Sequence, residues 1–373
     1  MQSTPYQLIN NAESWSSCLD RVRASNRIAL DIEANSLYVY REHLCLIQLS
    51  IHGQDYIIDP LAGFDLGQLG KILADANVEK VFHASEYDLI LFKREFGWQA
   101  VNLFDTMWAA RILGYTNMGL AWFLREFYEV TLSKKYQKTD WARRPLSHEQ
   151  LEYAYKDTHY LLQLRDDLAV KLEAAGLMEE AREIFAREAD VRVPERLFDP
   201  DGFWRLRGVR ELPPQAQAIV AALYLFREEE AKRRNLPPFK IFTNDVIIVV
   251  ARHAPRSLKE LNAVPSIPGA VKRHYAAEML RLVAESSQGP APHPPRRSNR
   301  VSAAVLDRYD KLQRWRKETA QQRGVESDVI LTRETMWALA QTRPTTLEEL
   351  AQIPTLGPHR LALYGALILE ELA

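Results

Sequence analysis

Short apolar runs mark the first half of the chain, and helical periodicity marks the second. RIALDIEA (27–34), LCLIQLSI (44–51), DYIIDP (55–60) and VEKVFHA (78–84) are rich in Ile, Leu and Val and bounded by polar or turn residues, which predicts strands. SEYDLILFKREFG (85–97) predicts a helix, with Ser85 as N-cap and Gly97 as stop. FDTMWAARILG and GLAWFLREFYEV predict two more. A long helix is predicted after Pro145, capped by Ser147, with Glu149 and Gln150 in its first turn, running to about Gly176. Strands interleaved with helices predict an α/β domain over residues 1–200.

After about residue 200 the pattern predicts helices without a central strand, and it repeats itself. Shifting the sequence by 89 residues sets Arg227 on Arg316, Ala231 on Ala320, Arg234 on Arg323, Ile241 on Ile330, Thr243 on Thr332 and Tyr275 on Tyr364, without a gap. A self-match of that length predicts a duplicated helical module. Between the copies lies SSQGPAPHPPRRSNR, a Pro-, Ser- and Arg-rich composition that predicts a solvated linker.

Composition changes this picture in one respect. The net charge of the whole chain is −1, but residues 1–200 hold 22 Lys and Arg against 30 Asp and Glu, and residues 201–373 hold 26 against 19. An acidic half suits cation binding, and a basic half suits a polyanion such as nucleic acid. No apolar run is long enough to span a membrane, and the first residues carry no secretory pattern, so a cytoplasmic protein is expected. The two cysteines, Cys18 and Cys45, form no CxxC pair. The nine histidines show no zinc-finger spacing, and no GxxxxGK[ST] phosphate loop is present, which weighs against a helicase.

Candidate chemistry gathers on carboxylates. Asp31 and Glu33 end an apolar strand, and strand alternation puts both on one face, where they repel unless a cation lies between them. Asp88 sits in the first turn of a helix; alone, it reads as an acid that favours the helix dipole. Tyr153 and Asp157 are one helical turn apart and share a face, with Leu161 and Leu164 continuing near it. Tyr155 and Tyr160 do not stand one turn before Asp157. Lys138, Trp141, Arg143 and Arg144 just precede this motif and are candidate substrate contacts, since cationic side chains neutralise phosphate and Trp offers a stacking face. His83 reads as a core or supporting histidine, and Asp105 as a helix cap rather than a metal ligand.

Taken together, the order DxE, Asp, YxxxD resembles the DEDD exonuclease superfamily in its tyrosine-bearing branch. Within it, DIEANSLYVYREHLCLIQLS, VFHASEYDLILF and KKYQKTDWARRPLSHEQLEYAYKDTHYLL resemble the three exonuclease motifs of the ribonuclease D family. The repeated module resembles the helicase-and-RNase-D C-terminal (HRDC) domain. The resemblance implies a ribonuclease H-like α/β domain (1–200), with a mixed sheet flanked by helices, then two all-α HRDC domains (205–286 and 301–373) joined by a linker (287–300). It implies a 3′→5′ exoribonuclease that releases nucleoside 5′-monophosphates from tRNA precursors and other small structured RNAs, acting as a monomer. It also implies two divalent ions, Mg²⁺ or Mn²⁺, with Asp31 bridging both, Glu33 and Asp157 completing the site of the water-activating ion, and Asp88 holding the other. Tyr153 would orient the attacking water. Two other readings stay open: a DNA 3′→5′ exonuclease of the same superfamily, and a nucleic-acid-binding protein with an inactive nuclease domain. All five positions being filled weighs against the second.

Overall fold

The computed structural model describes residues 5–195, 197–295 and 301–373. The α/β part opens with β1 (Tyr6–Ile9), α1 (Ala12–Arg23), β2 (Arg27–Ala34), β3 (Leu44–Ile51) and β4 (Gln54–Ile58). It continues with α2 (Gly67–Leu73), β5 (Glu79–Phe82), α3 (Glu86–Phe96), β6 (Leu103–Asp105), α4 (Thr106–Ile112) and α5 (Leu120–Tyr128). The predicted long helix is three consecutive pieces, α6 (His148–Ala154), α7 (Lys156–His159) and α8 (Leu161–Ala174), followed by α9 (Met178–Ala189). The six strands form one mixed sheet in the order β1-β4-β3-β2-β5-β6. β2 and β3 are antiparallel, as are β3 and β4, while β1–β4, β2–β5 and β5–β6 are parallel.

The break in the long helix has a local cause. Thr158 Oγ1 bonds back to the Tyr155 carbonyl at 3.4 Å and lies 2.7 Å from Ser50 Oγ. His159 Nδ1 lies 2.5 Å from Asp55 Oδ2. Side chains tied sideways to the sheet compete with the helix ladder and bend it. The start of the helix is as the sequence implies: Ser147 and Gln150 form a reciprocal capping box. Ser85 differs from expectation. It stands at the N-cap of α3 with helical backbone angles and makes no side-chain cap bond. Gly97 does end α3, at φ 71°.

Past residue 200 every regular element among the described residues is helical. The first copy comprises α10 (Pro214–Arg234), α11 (Pro238–Ile241), α12 (Asn244–His253), α13 (Leu258–Ala263) and α14 (Gly269–Ser286). The second comprises α15 (Ala303–Arg323), α16 (Ser327–Ile330), α17 (Arg333–Thr342), α18 (Leu347–Leu350) and α19 (Pro358–Leu372). Each helix of the second copy begins 89 residues after its counterpart. Part of the expected linker, residues 296–300, lies outside the described residues.

The chain divides into two compact units. One joins residues 1–34, 43–193 and 300–373, so the second helical copy packs with the nuclease sheet. Val329 of α16 is buried in the same apolar cluster as the sheet residues Ile28, Leu30 and Phe104. The other unit joins residues 194–299 with the short segment 35–42; there Tyr40 donates to Glu228, and Lys240 Nζ lies 4.0 Å from the Tyr38 ring centroid. Both cysteines are buried and unbridged. No helix among the described residues is long and apolar enough to cross a membrane.

Candidate active site

Strand β2 has two unlike faces. Ile28, Leu30 and Ile32 join the main apolar cluster, whereas Asp31 and Glu33 project to the opposite face by alternation. A β-bulge follows at Glu33/Ala34 and ends the regular β2–β3 register there. Facing Asp31 across the ladder is Gln48, and facing Glu33 is Leu46.

Asp88 is delivered by the turn after β5. That turn needs Ala84 at φ 67°, a left-handed conformation costly for a residue with a Cβ. Asp105 holds it: its carboxylate accepts from Ala84 N at 3.1 Å and Ser85 N at 2.8 Å, and also from Met107 N and Trp108 N at the start of α4. Asp105 is therefore the helix cap expected, with a second duty as a brace for the Asp88 turn. His83 sits beside it, Nδ1 2.9 Å from Thr106 Oγ1, and burial lowers its pKa below the ordinary imidazole value. Its geometry is that of a supporting residue.

Tyr153 on α6 and Asp157 on α7 come from the bent helix. Tyr153 packs between Trp141 (ring centroids 5.9 Å apart) and Tyr136 (6.3 Å). The anchoring bonds of Thr158 and His159 to Ser50 and Asp55 fix α7 over the polar face of β3.

Electrostatics show which groups are neighbours. Burial raises the Glu33 pKa to about 10, assisted by the charges of Asp31, Asp157 and Asp88 in that order. Burial is the leading cause of the raised pKa of Asp31, and of Asp88 and Asp157 as well, with Asp31 adding to each of the latter two. Burial, then the charges of Asp157, Glu33 and Asp31, keeps the Tyr153 hydroxyl protonated well above the ordinary phenol value. Glu33 thus senses all three aspartates, with Asp88 and Asp157 acting on it from separate elements. All five sequence-predicted residues meet in one neighbourhood. Among the described residues, no three His, Cys, Asp or Glu side chains are arranged to hold a metal ion as they stand. The donor set itself, four carboxylates and no sulfur or imidazole, suits a hard oxygen-seeking ion such as Mg²⁺ or Mn²⁺.

The four expected substrate contacts divide. Trp141 is 1% exposed, so its ring is a support for Tyr153 and offers no open stacking face. Arg144 is committed within the fold: Nε and Nη2 bind Asp59 at 2.6 and 2.7 Å, and its guanidinium also donates to the Cys45 and Trp141 carbonyls. These two expectations are corrected, because a buried ring and a fork already saturated by a carboxylate have nothing left to present to RNA. Lys138 and Arg143 are exposed; Arg143 makes a loose 3.4 Å pairing with Asp140. Sequence reasoning missed Asp55, Asp59 and His159. Their only signal was polarity inside otherwise apolar or helical segments.

A mixed sheet whose central strand gathers carboxylates from three motifs, joined to duplicated helical modules, defines the class. Residues 6–173 match the 3′-5′ exonuclease domain family, and residues 216–283 and 305–372 each match the HRDC domain. The chain belongs to the ribonuclease D family: it is 34% identical to ribonuclease D of Escherichia coli over 291 residues, covering 76% of each protein. The crystal structure of Escherichia coli RNase D, titled an exoribonuclease involved in structured RNA processing, overlays with a TM-score of 0.65 at 26% identity over 99% of both chains. The exosome complex component 10 homolog of Caenorhabditis elegans is 28% identical over 292 residues, which is 77% of this chain and 33% of that protein. The chain therefore spans about a third of the length of such relatives.

Proposed function

We propose that this protein is a divalent-metal-dependent 3′→5′ exoribonuclease that trims tRNA precursors and other small structured RNAs in the cytoplasm, as a monomer. The observation that carries the reading is the shared electrostatic neighbourhood of Asp31, Glu33, Asp88, Asp157 and Tyr153, assembled from three separate motifs. Asp31, Glu33, Asp88 and Asp157 hold two cations, Mg²⁺ in the cell. When bound, the ions supply charge to activate water and to stabilise the phosphate and leaving oxygen. The raised pKa of the carboxylates is the cost that such cations relieve.

Tyr153 stays protonated in this environment, so it orients the attacking water through its hydroxyl and is not a base. Trp141 and Tyr136 hold its ring. Lys138 and Arg143 contact phosphate near the 3′ end. An acidic nuclease attracts a polyanion poorly at long range, so docking falls to the basic first HRDC copy. The test is a time course on a 3′-extended tRNA and a matched DNA, with and without Mg²⁺. Stepwise shortening of the RNA with release of nucleoside 5′-monophosphates only when Mg²⁺ is present is the expected result. No shortening in any arm contradicts the proposal, and preference for DNA contradicts its substrate.

A further inference from the structure

Gln48 lies at the centre of β3 and is 0% exposed, yet neither its amide nitrogen nor its amide oxygen has a hydrogen-bond partner. Ser50, two positions along on the same face, is satisfied: its Oγ donates to Asp55 at 2.5 Å and lies 2.7 Å from Thr158 Oγ1, and Asp55 meets His159. A buried amide left unpaired is unfavourable, and an apolar side chain of the same size avoids the penalty. The neighbouring strand positions Leu46, Ile47 and Leu49 are apolar. A polar amide at position 48 thus calls for a partner that the contacts in this structure do not supply.

The sheet register limits what that partner is. On the β4 side Gln48 faces Ile57, which has no polar side chain. On the β2 side it faces Asp31, in an antiparallel pair whose Cβ atoms stand about 5 Å apart. Both side chains project from the same face. In this structure the Asp31 carboxylate takes a hydrogen bond from the backbone N–H of Ile32. A change of Asp31 rotamer brings an oxygen toward the waiting amide.

We propose that Gln48 is a positioning residue for Asp31: its Nε2–H donates to the Asp31 carboxylate in the cation-loaded site and fixes which oxygens face the ions. Oε1 then accepts from a water of the same site. This inference rests on the exonuclease reading above. Carboxylates that ligate metals are held by outer hydrogen bonds of this kind, and losing one typically weakens metal affinity or activity by about 10- to 100-fold.

The variants are Gln48→Leu and Gln48→Met, tested in the full-length protein. Each keeps the volume and removes the donor. Mn²⁺ titrated into RNA-free protein, read by its electron paramagnetic resonance signal, should bind about 10-fold more weakly than to wild type. At saturating Mg²⁺, kcat on a 3′-extended RNA should fall on the order of 10-fold or more while KM for RNA stays constant. The melting temperature of the metal-free protein should hold or rise, because an unpaired buried amide has been removed. The inference is overturned if both variants bind Mn²⁺ like wild type, or if both melt lower, which would make the amide a structural element. Should the wild-type protein itself fail to cut RNA, the exonuclease reading falls, and the Mn²⁺ titration still decides the role of Gln48.

Discussion

In the first helical copy Arg234 stops at Tyr275, donating to its hydroxyl at 2.6 Å; in the second, the matching Arg323 makes the same bond to Tyr364 and reaches on to Glu180 of α9 at 2.7 Å. The inner anchors are alike throughout. Arg227 donates to the Phe242 carbonyl, and its counterpart Arg316 donates to the Leu331 carbonyl. The outer edges are not alike. Val271 in the first copy corresponds to Arg360 in the second, which is 2% exposed and paired with Glu183 at 2.9 Å. Pro237 and Phe239 correspond to Glu326 and Asp328, both of which bind Arg111 of α4. Charge follows the same division. Residues 201–288 hold 14 Lys and Arg against 9 Asp and Glu, whereas residues 301–373 hold 9 against 10. One module carries a basic excess; the other carries ion pairs that seat it on the nuclease. Two copies of one scaffold thus differ at their edges, and only the second uses those edges to pair with α4 and α9.

The largest expected effect separates the copies by RNA affinity. In the full-length protein, replacing the exposed first-copy cations Arg252, Arg256 and Lys259 with Glu should weaken binding of a tRNA precursor on the order of 100-fold and flatten its salt dependence, while the same change at the exposed second-copy cations Arg314, Lys317 and Arg333 should leave most of both intact. Binding isotherms at several salt concentrations measure both. Equal loss in the two variants would contradict the assignment of docking to the first copy.

Next comes the docking of the second copy. Arg360→Ala leaves Glu183 facing a protein surface without its partner and should destabilise the protein by about 3 kcal/mol. Val271→Ala, at the matching position of the first copy, removes only part-buried methyl groups and should cost about 1 kcal/mol. Chemical denaturation of both variants gives the comparison directly, and equal losses would contradict the docking role assigned to Arg360.

A graded effect distinguishes these ion pairs from the carboxylate cluster. Glu33 is raised from its ordinary value of 4.5 to about 10 in the folded protein. The folded state therefore binds the proton more tightly than the unfolded state. The associated stability is present below pH 4.5 and is lost as pH rises toward 10. Metal-free protein should melt progressively lower across that window, and Mg²⁺ should restore the melting temperature most at its upper end. A metal-free melting temperature independent of pH would mean that Glu33 is not buried among like charges as described.

Much of this architecture was legible from residue order. The strand bounds 27–34 and 44–51 are those observed, because both are long apolar runs with clear polar edges. The 89-residue period read from the sequence recurs in every pair of helix starts, although the individual helices of the two copies were not foreseen. β1 and β6 were not foreseen; they are four and three residues long, too short for alternation to register, and form only because the sheet is there to pair with. The helix at 12–23 was also missed, although Asn11 caps it through the Ser14 N–H. The five residues of the candidate site could be read because their chemistry demands fixed types in a fixed order. Trp141 and Arg144 could not be assigned, since burial and the Asp59 pairing depend on tertiary contacts that local sequence does not encode. The seating of one repeat on α9 was likewise invisible, because Glu180 and Glu183 look like any solvated helix face until Arg323 and Arg360 arrive.

The most direct test is the single-turnover rate of Asp31→Ala on a 3′-extended RNA at saturating Mg²⁺, with folding followed in parallel. Asp31 adds to the charge felt by Glu33, Asp88 and Asp157 alike, so its removal should relieve repulsion while disabling the site. The predicted result is a rate loss on the order of 1000-fold or more, with a metal-free melting temperature equal to or above that of wild type. A well-folded Asp31→Ala protein that shortens RNA at close to the wild-type rate would contradict the carboxylate site as the seat of the chemistry.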